Sequence, residues 1–212
     1  MTLMKTRRAL RRGGAVITGG AMVAAVAMMA GPTAASADST LSITYPVTGS
    51  TYVQAPGATL PLGPGKLAAT VDLDTGALSA NLTMPDATGS FKEFGIIPVT
   101  ATAQFIDDGP ATGMVNLDTG ATQATANITL RLVSLQVAGI NVPVGPACQT
   151  AQPVSVSLAS QPGFNVLKGG DLAGSYTLPA FANCGLATLL IDVTLPGPNN
   201  TISLTLGKGK TS

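Results

Sequence analysis

The chain has 212 residues, with 11 basic and 10 acidic side chains, two cysteines, no histidine and no tryptophan. The lack of histidine excludes a Ser-His-Asp or Cys-His catalytic group. The small charge excess, +1 over the whole chain, supplies little for a polyanionic partner.

What excess there is sits at the start. Lys5, Arg7, Arg8, Arg11 and Arg12 precede an apolar, uncharged stretch over residues 13–34, and Ala35-Ser36-Ala37 stands before Asp38. A basic segment, an apolar segment and small residues at −3 and −1 read as a secretory signal, with cleavage expected between Ala37 and Asp38. An uncleaved membrane anchor is the alternative. The stretch Thr6–Leu10, "TRRAL", also fits a twin-arginine signal, and both the twin-arginine and the general secretory routes stay open. Losing five basic and no acidic residues takes the net charge from +1 to −4. The mature chain then has no basic cluster, which argues against nucleic acid and anionic membranes as partners. No membrane span is expected in it. About 175 residues suit one domain, residues 38–212. Neither a lipid-modified cysteine nor an apolar tail is evident, so the protein is expected to be secreted or held in the cell envelope by non-covalent contacts.

Residues 38–64 are the least patterned part. "LSITY" and "TYVQ" suit edge strands, and "APGATLPLGPG" reads as an irregular surface loop. From Lys66 onward, alternation with a period of two dominates. Leu67, Ala69, Val71 and Leu73 share one face, followed by Leu78, Ala80, Leu82 and Met84. Val99, Ala101, Ala103 and Phe105 oppose Thr100, Thr102 and Gln104, and Ile128, Leu130 and Leu132 oppose Thr129 and Arg131. The same spacing predicts strands over Leu189, Ile191, Val193 and Leu195 and over Ile202, Leu204 and Leu206. Gly, Pro, Asn and Asp fill the gaps as turn residues. No window shows helical spacing with a cap. Many short half-buried strands indicate an all-β fold, taken here as an antiparallel β-sandwich with a small β-barrel as the alternative.

One string occurs twice. "VDLDTGALSANLTM" at residues 71–84 is echoed by "VNLDTGATQATANITL" at residues 115–130, and both contain Asp-Thr-Gly. In aspartic proteases that tripeptide carries the catalytic carboxylate, so Asp74 and Asp118 are the candidate pair for a carboxylate hydrolase. They lie 44 positions apart, too close for two separate lobes of that family. The reading preferred here is a duplicated hairpin turn. The aspartate would accept backbone amides, and Gly76 and Gly120 would take positive φ.

Other chemistry is sparse. Glu93 is the single glutamate and reads as a solvated residue rather than half of a glycosidase pair. Asp107-Asp108 reads as a turn rather than a Ca²⁺ site, because spacing places no further oxygen ligands. Asn81, Asn127 and Asn199 open glycosylation triplets that arise readily in a Thr-rich chain. No metal or cofactor is expected. Tyr45, Tyr52 and Tyr176 are the only tyrosines available to stack on a sugar. Cys148 and Cys184, an even pair in an exported chain, are expected to form a disulfide.

The segments "GPACQTAQPVSVSL" (Gly145–Leu158), "LAGSYTLPAFANCG" (Leu172–Gly185) and "LPGPNNTISLTL" (Leu195–Leu206) give the last third a resemblance. It resembles a set of secreted actinobacterial proteins of uncharacterised function, whose β-rich C-terminal region holds two cysteines. The resemblance implies export and a β fold and supplies no catalytic residue. The functional expectation is a secreted or envelope-associated, non-catalytic β-sandwich protein that binds an unidentified lipid, glycan or protein. The alternative is a secreted hydrolase using Asp74 and Asp118.

Overall fold

The computed structural model describes residues 39–211. The expected signal segment, the expected cleavage site at Ala37 and Asp38, and the arginine pair lie outside them. Fourteen strands and one short helix follow in order: β1 (Thr40–Val53), β2 (Ala58–Asp72), β3 (Ala77–Thr83), β4 (Ala87–Glu93), β5 (Ile97–Asp107), β6 (Ala111–Val115) and β7 (Thr122–Val137) come first. Then come β8 (Ile140–Asn141), β9 (Gln149–Thr150), β10 (Val154–Ser160), β11 (Gly170–Leu178), β12 (Phe181–Ala182), α1 (Thr188–Thr194), β13 (Gly197–Leu206) and β14 (Lys210–Thr211).

The expected all-β class holds, but the sheets are not stacked as a sandwich. Eight antiparallel strands close into a barrel in the order β1-β2-β3-β6-β7-β10-β11-β13 and back to β1. The closure is made by β7, which pairs with β6 on one edge (Thr125 with Thr112) and with β10 on the other (Ala126 with Val156). Alternation cannot distinguish the two architectures, since each puts one face of every strand in the core. Closure also leaves these strands without an exposed edge. The outer wall carries Thr, Ser and Asn and the inside is apolar, the inverse of a lipid-spanning barrel.

Two irregularities let long strands serve more than one neighbour. The β1–β2 register shifts between Val47 and Gly49, and Gly63-Pro64 occupies the bulge opposite. Of residues 38–64, expected to be partly irregular, those that are described lie almost wholly in β1 and β2. The prolines of "LPLGPG" do not break the strand. Pro64 sits at the bulge, where no ladder amide is required, and Pro61 lies where β2 has outrun its pairing with β3. In β7 a second shift skips Val133, so the inward residues change parity from Ile128, Leu130 and Leu132 to Leu135 and Val137. Beyond Ile128 the edge of β7 passes from β6 to β5, and β5 pairs with β4. The β4–β5 hairpin thus prolongs the wall past β3 and β6.

Strand direction defines two ends. The lower end holds the β2–β3 and β6–β7 turns, the loop after β10 and the end of β13. The upper end holds the β1–β2, β4–β5 and β7–β8 turns and the β11–β13 connection. One buried cluster, with Ile43, Val47, Ala69, Ala80 and Leu204, fills the lower half. A second, with Leu132, Leu135, Val154, Phe181 and Ile191, fills the upper half.

Residues 188–195, expected to be a strand, form α1 instead. A strand would put Leu189, Ile191, Val193 and Leu195 on one face. In the helix Ile191 is buried and Leu195 packs beside it, while Leu189 and Val193, four apart, share an exposed face. The short connection is tied down at both sides. Asp192 Oδ1 accepts the Phe181 amide at 2.7 Å, and Cys184, just before the helix, is joined to Cys148 in the expected disulfide. Both cysteines are fully buried.

Candidate functional site: an apolar lumen and two turn aspartates

The two Asp-Thr-Gly tripeptides form the same turn twice. In the first, Asp72 Oδ1 accepts the amides of Asp74 and Thr75 at 2.9 and 2.8 Å, and Gly76 donates back to the Asp72 carbonyl. In the second, Asn116 Oδ1 accepts the amides of Asp118 and Thr119 at 3.0 and 2.9 Å, and Gly120 donates to the Asn116 carbonyl. Gly76 and Gly120 take the expected positive φ of 77° and 76°. The turn acceptor is therefore the residue two places before each tripeptide, and the expectation that Asp74 and Asp118 fill that role is corrected. Backbone and hydroxyl donors from Thr75, followed by the Asp74 amide, hold the Asp72 carboxyl below its ordinary value.

The turns are neighbours at the lower end, where the Val115 amide donates to the Gly76 carbonyl at 2.8 Å. Asp74 and Asp118 are exposed there. Neither is desolvated in the way that lets two carboxylates share a proton in a catalytic dyad.

The barrel interior differs in kind. Its inward positions are mostly Leu, Val, Ile and Phe, with Ala69, Ala80, Ala101, Ala103, Ala111 and Ala124 among them. Bulky inward residues fill a barrel of eight strands, whereas alanines leave space. Two cavities result, of about 110 Å³ in the upper half and about 80 Å³ in the lower. Leu82 and Leu204 border both and divide them. The alternation in the sequence had put Ala69, Ala80, Ala101 and Ala103 inward. Their small size was the signal for a lumen, and the period alone did not show it.

Few polar groups reach this space, and those that do are mostly satisfied. Tyr176 Oη and Thr51 Oγ1 are 2.7 Å apart, and Thr51 also donates to the Thr201 carbonyl. Burial raises the Tyr176 phenol, with the Thr51 contact opposing it. In the lower half the Tyr45 hydroxyl donates to the Val166 carbonyl. Asp107 borders the upper cavity beside Asp108, and desolvation followed by that neighbouring charge pushes its carboxyl up. Asp108 accepts a hydrogen bond from Thr129. Among the described residues no three acidic or cysteine side chains gather as metal ligands. Glu93, the single glutamate, ends β4, and Asn81, Asn127 and Asn199 are exposed.

The wall of the upper cavity has one seam. β4 lies against the first part of β2, with Leu60 packed on Gly89, yet no backbone pairing joins the two strands. Leu60, Leu62, Gly89 and Phe91 line the cavity along this seam.

No protein-family model, curated protein or solved structure matches the chain.

Proposed function

We propose that this is an exported, non-catalytic binding protein that carries a small apolar molecule, such as a short acyl chain or a single ring, in its barrel lumen. The observation that carries the reading is the space left inside: a closed barrel that keeps about 190 Å³ in two chambers, walled by apolar side chains with alanine at several inward positions. Dry apolar cavities of about 150 Å³ are known to take up benzene or xenon. Of the partner classes expected from sequence, a lipid-like molecule fits such walls. A glycan does not, since its hydroxyls would lose water without gaining partners. Export is supported by the signal-like first 37 residues, by a disulfide suited to an oxidising compartment, and by the resemblance to secreted actinobacterial proteins. Among the described residues no helix is long and apolar enough to cross a membrane. The carboxylate-hydrolase alternative has only Asp74 and Asp118 to rest on, and their exposure gives it no support.

The test is calorimetric titration with a homologous series of straight-chain primary alcohols. Affinity should rise about fourfold per added methylene until the lumen is full and then level off. Ala103→Leu in the upper chamber or Ala80→Leu in the lower should shorten the longest chain that still gains. Unfolding temperatures, followed in parallel, would separate this effect from overpacking. Absence of saturable binding throughout the series, or indifference of binding to both substitutions, would refute the reading.

A further inference from the structure

The two ends of the barrel differ in apolar exposure. Asp72, Asp74, Asp118, Asp171, Lys168, Lys208 and Lys210 belong to lower-end segments, and Lys92 and Glu93, at the end of β4, belong to the upper end. The upper end presents apolar side chains from three separate segments: Phe94 and Ile96 in the β4–β5 turn, Ile140 after the β7–β8 turn, and Leu186, Leu189 and Val193 in and just before α1. Their exposure runs from 70% to 101%, so they stand almost free of neighbours. Phe94 is held outward by a backbone at φ 50°, a conformation that bulky residues rarely adopt. The only ionisable group in α1, Asp192, is turned inward to the Phe181 amide, which leaves the outer face of the helix uncharged. A collar of hydroxyls lies below the turn tips, where Ser90 meets Thr100 and Thr88 meets Thr102, both at 2.9 Å.

We propose that the upper end docks on a lipid surface by inserting these side chains between the acyl chains, with the hydroxyl collar at headgroup level. The occupant follows from the form and charge of the patch. Side chains that project singly from two hairpins and a helix would each need a matching socket in a rigid protein, whereas lipid moulds around them. Lys92 and Glu93, which precede Phe94, balance each other, so the contact has no net charge, suits a lipid of zero net charge and does not depend on anionic headgroups. Phe181 and Leu195, which flank α1, also roof the upper cavity. An inserted upper end would thus bring the lumen next to the source of an apolar ligand. The surface proposal itself rests on exposure and charge and stands without the lumen reading.

Flotation with phosphatidylcholine vesicles tests it, using the chain from Asp38 onward. The protein should float with the vesicles equally well at low and high salt, and adding phosphatidylglycerol should not strengthen binding. Phe94→Asn with Ile96→Asn, or Leu189→Gln with Val193→Gln, should each lower partitioning by about tenfold or more. All four side chains are exposed, so folding should persist, and asparagine tolerates the Phe94 backbone. Leu73→Asn with Leu117→Asn at the lower end should leave flotation unchanged. The proposal is overturned if the wild type stays in the soluble fraction, if the upper-end variants float as well as the wild type, or if sedimentation shows a dimer that the same substitutions dissolve.

Discussion

Asp72 and Asn116 do the same work with different acid–base properties, so the chain contains its own control. Asp72 has a folded value below the ordinary carboxylate range, so the stability it lends is complete above about pH 4 and is lost as pH falls through the lowered value. Asn116 does not titrate. In an acid titration followed by NMR, the Thr75 amide should move further than the Thr119 amide, because only the former is accepted by a titrating side chain, Asp72. Asn116→Ala should cost about 1 kcal/mol, the usual loss of a side-chain acceptor for turn amides, and Asp118→Ala should stay within about 0.5 kcal/mol. Asp72→Ala should likewise lower the unfolding temperature where Asp74→Ala does not. The two glycines should differ as well. A Cβ on Gly76 would collide with the Val115 carbonyl, whereas one on Gly120 would only touch Val166 at 3.8 Å. Both substitutions by valine should destabilise through positive φ, Gly76→Val by about 2 kcal/mol or more and Gly120→Val by about 1. The sequence made the turns and their glycines legible because Gly at that place has few other uses. It misplaced the acceptor because Asp-Thr-Gly is a familiar string, while the "V-[DN]-L" before it reads equally well as strand.

At the scale of elements, alternation placed the inward faces of β2, β3, β5 and β13 correctly. It failed where a local feature overrode the period. The bulge at Gly63-Pro64 carries β2 through apparent breakers, and α1 forms from a sequence with strand spacing, while in β7 the inward Ile128, Leu130 and Leu132 hold up to the bulge at Val133. What holds α1 is tertiary. Asp192→Ala would strip the Phe181 amide of its acceptor and should cost about 1–3 kcal/mol, with lost amide-exchange protection concentrated at residues 181–195. Asn200 plays a similar part nearby. It is fully buried, accepts the Gln54 amide at 2.9 Å and donates to the carbonyls of Gly197 and Tyr176, so it locks the β1–β2 turn to β13 and β11. Asn200→Leu would leave three backbone groups without that partner and should lower stability by about 3 kcal/mol or more in a denaturant titration.

At the scale of the whole molecule, the candidate site was half legible. The inward alanines could be read from the sequence, but a lumen exists only because the eight strands close, and closure depends on β7 pairing with β6 and β10 at once. No local pattern encodes that. Closure also separates the two ends: the most exposed apolar side chains, Phe94, Ile96, Ile140, Leu186, Leu189 and Val193, all lie above. The interior is read here as a ligand space rather than a settled core, and a crystal structure of residues 38–212 grown with a saturating straight-chain alcohol such as 1-octanol distinguishes the two. A ligand space should show continuous density for the alcohol inside the barrel, running past Leu82 and Leu204 and flanked by Ala103 and Ala80. Opposite walls in contact across the lumen, with alcohol bound only outside, would contradict that reading.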